Sequence, residues 1–144
     1  MKKILTILLV SLILFGCNKE KIPFDELTNK GTIEWPVMYY QGELFNGIAS
    51  SNSEVYEEYY ELNYKDGKRD GVHRGWSSNN QLIFKRYYKQ GMREGEQKKW
   101  HKNGQLKVDG NYKDDERVGW WVWYDEDGEM TFESNYKDDT RITH

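Results

Sequence analysis

Three histidines, a scatter of serines, two runs of carboxylates and one cysteine are the residues of this chain that could do chemistry. A histidine acting as general base must reach the proton it removes and hold a pKa near the working pH. His73 and His101 fall at non-equivalent places in the 24-residue repeat of the chain and His144 is the last residue, so each reads as a surface histidine without a role. Ser50, Ser51, Ser53, Ser77 and Ser78 lack the glycine pattern of a nucleophile elbow and read as linker or turn residues. Asp114-Asp115-Glu116 and Asp125-Glu126-Asp127 would suit calcium by charge, but they lack the alternating acids, central glycine and distal glutamate of a calcium loop. Both runs fall where turns are expected. The chain therefore reads as non-catalytic, with no metal site and no cofactor.

Cys17 is the sole cysteine, which excludes an intramolecular disulfide, a CxxC redox pair and a cysteine-built zinc site. It follows Lys2, Lys3 and the apolar run Ile4 to Phe15, the charged and hydrophobic regions of a secretory signal over residues 1–16. A spanning helix needs about 20 apolar residues, whereas this run ends early and gives way to Asn18-Lys19-Glu20-Lys21. Leu14-Phe15-Gly16-Cys17 resembles a bacterial lipobox, in which cleavage precedes the cysteine and its sulfur and new amino group are acylated. An uncleaved anchor helix is the competing reading. The resemblance makes Cys17 the lipid attachment point, and several acyl chains at about 0.8 kcal/mol per buried methylene attach a protein stably where one does not. The mature protein is expected to sit on a membrane without crossing it. Asn18 is not the aspartate of an inner-membrane retention signal, which favours the outer membrane where the host has one.

A hydrophobic fraction of 37% and a charged fraction of 31% would by themselves suggest a weak core. Six Trp, eleven Tyr and five Phe argue otherwise, because each buried ring removes about 150 to 250 Å² from water. The net charge of -3 offers no basic surplus to nucleic acid. Lys85, Arg86, Lys89, Arg93, Lys98, Lys99, Lys102 and Lys107 do cluster, but Glu94, Glu96 and Asp109 are interspersed, as on a solvated sheet face.

The elements that must carry these residues follow from a period. Tyrosine recurs every 24 residues at Tyr40, Tyr64, Tyr88, Tyr112 and Tyr136, with glycine seven residues later at Gly47, Gly71, Gly95 and Gly119. Trp76, Trp100 and Tyr124, then Leu82, Leu106 and Met130, hold the same register. Such a period marks units that bury their apolar faces against neighbours. Turn signals recur near the start of each unit (Asp66-Gly67, Gln90-Gly91, Asp114-Asp115, Asp138-Asp139) and in its middle (Asn79-Asn80, Asn103-Gly104, Asp127-Gly128). Turns about twelve residues apart leave strands of about six to eight, so one unit is one hairpin. The fold expected is all-β: a signal peptide over 1–16, a lipid-anchored tether and leading strand (near Ile33 to Met38) over 17–39, and an elongated antiparallel sheet over 40–144. Parity places Leu82, Phe84 and Tyr88, with Val72, Trp76, Trp100, Trp120, Val122 and Tyr124, on one apolar face. The repeating glycine is expected to supply a special backbone angle or to let a ring lie against bare backbone.

The spacing resembles the MORN family of repeats, and more closely the bacterial variant found in YwqK-type antitoxin proteins, as in Tyr88 to Leu106. The resemblance spans about Tyr64 to Tyr136 and departs where Asn52 replaces the mid-unit aromatic and Asp115 and Asp139 replace the early glycine, which reads as end capping. It implies protein binding, and neutralisation of a toxin partner; an envelope scaffold and an interfacial lipid-binding module are the alternatives. On the parity opposite to the expected core lie Ile83, Tyr87, Trp121 and Trp123. They are either anchors for a protein partner or, if the sheet curls, rings buried against the terminal hairpin or the leading strand.

Overall fold

A computed structural model of the chain describes residues 21–32, 36–53 and 58–142. The signal segment and Cys17 lie outside the described residues, as do residues 33–35 of the expected leading strand. Ten strands form one sheet in the order β1 (Lys21–Pro23), β5 (Gly47–Ser53), β6 (Glu58–Lys65), β7 (Lys68–Ser77), β8 (Leu82–Lys89), β9 (Met92–Trp100), β10 (Leu106–Lys113), β11 (Glu116–Tyr124), β12 (Met130–Lys137), β13 (Thr140–Ile142). From β5 onward every neighbour is antiparallel and consecutive in sequence, while β1 joins β5 in parallel. A second sheet of three short strands, β2 (Thr28–Asn29), β3 (Met38–Tyr40) and β4 (Glu43–Leu44), completes the fold. Lys21–Pro23 thus belongs to the main sheet, inside the stretch expected to be tether. Ser50, Ser51 and Ser53, expected in a linker or turn, lie in strand β5.

The turn chemistry is what the dipeptides demand. Asp66-Gly67, Gln90-Gly91, Asp114-Asp115 and Asp138-Asp139 all have positive φ at both residues, the pattern of two-residue hairpin turns whose twist matches that of the strands. The mid-unit turns are closed by Ser77, His101 and Asp125, each donating its amide to the carbonyl four residues on. Asp125 Oδ1 accepts the amides of Asp127 and Glu129, so this acid is used in the turn.

Each unit contains two register slips, and the pairing across its turns together with the second slip corrects the expectation of one apolar face. The first falls at Gly71, Gly95 and Gly119, whose φ values of +96°, +96° and +69° admit glycine most readily. The second leaves Ile83, Lys107 and Thr131 as single bulged residues. The first sets three residues opposite one and keeps the parity, whereas the second reverses it; the two-residue turns also pair even positions with odd ones, as Tyr88 with Arg93. Phe84 therefore shares a face with Tyr88, whereas Leu82 pairs with Trp76 on the other. We call the face carrying Tyr64, Tyr88, Tyr112 and Tyr136 the front. The back carries Trp76, Leu82, Trp100, Leu106, Tyr124 and Met130 along one margin.

The compact core lies at the N-terminal end, where Ile22, Met38, Phe45, Ala49 and Tyr64 are buried with Leu27, Tyr40 and Leu62 packed on them. The small sheet docks there through backbone: Met38 donates to the Gly67 carbonyl (2.7 Å) and Gly67 to that of Phe45 (2.9 Å). A Cβ on Gly67 would stand 2.7 Å from the Met38 oxygen, so the docking requires glycine. The unit beginning at Tyr40 therefore caps the sheet at this end.

Candidate binding surface

The front face is organised by a pairing of arginine and tyrosine. An arginine stands five residues after Tyr64, Tyr88 and Tyr112, and its guanidinium lies over the ring of the next unit: Arg69 on Tyr88 (5.4 Å), Arg93 on Tyr112 (3.8 Å) and Arg117 on Tyr136 (4.1 Å). Phe45 takes the equivalent place against Tyr64, at 5.7 Å. The carbonyls of Phe45, Arg69, Arg93 and Arg117 accept amides from the next hairpin turn. Beside them, Asn46, Asp70 and Glu94 accept the amides of Asp66, Gln90 and Asp114 through their side chains. Consecutive turns are thus stapled 24 residues apart. Asp115 Oδ1 accepts both the amide and Nε of Arg93, and Asp139 does the same for Arg117. The Arg117 guanidinium holds the Asp139 carboxyl below its usual range. The acids that replace the early glycine are therefore partners of the arginine ladder, which corrects their reading as end caps. The arginine period stands in the sequence beside each tyrosine and is the signal from which this ladder could have been read.

A second row runs beneath the first through His73, Gln97 and Trp121, equivalent positions of successive units and all buried. Trp121, expected to be a partner-binding candidate, is 4% exposed, while Trp120, expected in the core, is 53% exposed. The two-residue turn pairs Tyr112 with Arg117, so odd positions of β11, Trp121 among them, lie on the front and Trp120 lies on the back. Trp121 lies over Gly110, where a Cβ would come within 2.3 Å of the indole, and donates Nε1 to the Asn111 carbonyl. It packs edge-on against Tyr112 and lies 6.0 Å from Trp123. His73 follows the same plan: Nε2 donates to the Asn63 carbonyl at 3.0 Å, and the ring lies 4.4 Å from that of Tyr88. It is a buried residue, which corrects its reading as a surface histidine. Burial, reinforced by the charges of Arg69 and Arg86, pushes it down to about 4.

The four partner-binding candidates do not converge. Tyr87 lies on the back, opposite Val72 and under Lys85. Ile83 is a bulge residue. Trp121 is buried, and Trp123 is half-buried on the front between Val108 and Phe132. The large apolar side chains left uncovered collect elsewhere: Trp120, Met130 (56% exposed), Phe132 and Ile142 all belong to the last three strands. β13 forms the outer edge of the sheet, with β12 as its partner among the described residues.

Charge is sorted by face. On the back, Lys85, Glu96, Lys98 and Asp109 form a chain of ion pairs, which holds the Glu96 carboxyl low. On the front, Arg86 and Lys99 stand in rows with His73, Gln97, Phe84 and Val108.

No curated protein matches this sequence. The last two full units do match a known family, in register with the 24-residue period and with the arginine ladder: residues 93–114 and 117–138 are two copies of the MORN repeat variant.

Proposed function

We propose that this chain is a non-catalytic protein-binding repeat module, held on a bacterial envelope membrane through lipid on Cys17, and that it grips its partner with the open C-terminal end of the sheet. MORN repeats often mediate protein or membrane binding. The observation that carries the reading is asymmetry: the N-terminal end is covered by a second sheet, whereas Trp120, Met130, Phe132 and Ile142 remain uncovered around an edge that has no further partner strand among the described residues. An exposed edge flanked by apolar side chains is suited to strand addition by another protein. The likeness to YwqK-type antitoxins makes a toxin the partner to look for, and the lipid anchor suits an immunity protein facing the envelope. Crosslinking in cells followed by capture of the lipoprotein tests this, with the Met130→Ala, Phe132→Ala double variant as control. One dominant partner, lost in the variant while the sheet stays folded, is the expected result. A diffuse set of envelope proteins unchanged by the variant would remove the reading and leave a scaffold.

A further inference from the structure

The front face holds a cluster of cations without carboxylates. Arg93 and Arg117 are each neutralised by an aspartate, but the equivalent slot beside Arg69 is occupied by Gly91. Arg69, Arg86 and Lys99 have no ion-pair partner among the described residues, and the Nε atoms of Arg69 and Arg86 are buried without a hydrogen bond. Buried donors left unmatched are rare and costly, so these guanidinium groups stand in surroundings that leave their charge uncompensated. Arg86 is fixed in place by its guanidinium over the Phe84 ring, at 4.3 Å. Lys99 stands on the next strand opposite Phe84 and Val108, diagonal to Arg86 through Gln97. Burial, with the charges of Arg86 and Lys107, holds the Lys99 ammonium below its usual range, as expected where positive charge is uncompensated. This concentration occurs in a chain whose net charge is negative.

We propose that Arg86 and Lys99, with Arg69 behind them, form a carboxylate-binding site on the front face that receives an acidic segment of the protein partner. The inference rests on the protein-binding reading and adds the partner's chemistry. Rings flank the cations on both sides along one cross-strand row, Tyr60 stacked on Phe84 before Lys99, then Val108, Trp123 and Phe132 after it. Strands lie about 4.8 Å apart, so an extended segment crossing them would place a carboxylate over Lys99 and apolar side chains about 5 to 10 Å to either side. A guanidinium anchored over a ring keeps N–H groups with which it can pair such a carboxylate by two hydrogen bonds. Half-buried cations set in one row with apolar side chains, rather than an exposed basic patch, favour a peptide over a bilayer surface.

The test is a binding titration of the full-length chain in detergent with a fluorescent peptide in which glutamates are flanked by leucines, beside its glutamine counterpart. The glutamate peptide should bind about tenfold more tightly, and Lys99→Gln should abolish that difference. Arg86→Gln should reduce it. Lys98→Gln, on the opposite face, should leave it intact, and melting curves identify any variant that has lost its fold. Equal binding of the two peptides, or an equal effect of Lys98→Gln, would overturn the proposal. So would Lys99-dependent recruitment to phosphatidylglycerol vesicles without preference for the glutamate peptide, which would assign the cations to a membrane. A captured partner that depends on Met130 and Phe132 but not on Lys99 would remove this site and leave the edge contact standing.

Discussion

At the scale of the residue, a buried position is filled by three different side chains on one plan. His73 and Trp121 both aim a ring nitrogen at a carbonyl ten residues back, those of Asn63 and Asn111. Only His73 can titrate. Its folded pKa is about 4, below the ordinary value of 6.5, so the unfolded chain takes up the proton first as the pH falls. The stability contributed by neutral His73 is complete above about pH 6.5 and is lost progressively down to about pH 4, a change on the order of 3 kcal/mol. His73→Gln, which copies the side chain at Gln97, should make the urea midpoint nearly level between pH 7 and 5. An undiminished fall in that variant would assign the acid sensitivity to carboxylates such as Glu96 and Asp139. Trp121→Ala, by contrast, should cost about 3 to 5 kcal/mol, because it empties a packed site. Loss of partner capture in that variant would come with loss of near-UV dichroism, whereas Phe132→Ala should change capture alone.

At the scale of the element, the hairpins were legible because their turns are spelled out by local chemistry. Asp66-Gly67 or Asp138-Asp139 at a fixed interval can only be two-residue turns once strands of that length lie between them. The faces were not legible, because one parity was carried through two-residue turns that pair even positions with odd ones, and because one slip in each unit reverses parity within the hairpin. That slip, at Ile83, Lys107 and Thr131, carries no special residue type at all, so nothing in the sequence marks it. The cation cluster on the front was hidden because lysines and arginines adjoin in the chain, whereas strand alternation puts Lys98 and Lys99 on opposite faces. The ladder explains a variation that parity could not. Arg93 and Arg117 each have an aspartate in the following turn, and Arg69 faces Gly91, beside which a Cβ would meet nothing within 4 Å. Gly91→Asp should therefore stabilise the chain by about 1 kcal/mol, the gain of a charge-assisted hydrogen bond less the cost of positive φ at a residue that tolerates it. Thermal unfolding checks this, and a lowered midpoint would mean that the +98° angle at Gly91 is out of reach for aspartate. Gly110→Ala should do the reverse and lower both the midpoint and the stability, the latter by about 2 to 3 kcal/mol, since its Cβ would enter the Trp121 ring.

At the scale of the molecule, each strand of the main sheet draws its support from the strands beside it, so stability should be a sum of hairpins and of contacts between neighbours. The sum is uneven. The N-terminal end has a two-layer core around Met38, Phe45 and Tyr64, the middle has the buried row of His73, Gln97 and Trp121, and the last hairpin has Ser134 as its buried residue with Met130 and Phe132 left open. Local opening should therefore begin at β12 and β13 and move inward, because the end strands are the most exposed and the outer edge of β13 makes no ladder among the described residues. Native-state hydrogen exchange followed residue by residue should show protection highest in β6 and β7, intermediate in β8 to β10, and lowest in β12 and β13. A partner that adds to the open edge would reverse the end of this gradient by supplying both the missing ladder and the missing cover. Slowed exchange confined to β11 to β13 on adding a captured partner is the expected outcome. Uniform slowing along the whole sheet would instead mean that the partner lies across the face, and no slowing at β12 and β13 would remove the edge as the site of contact.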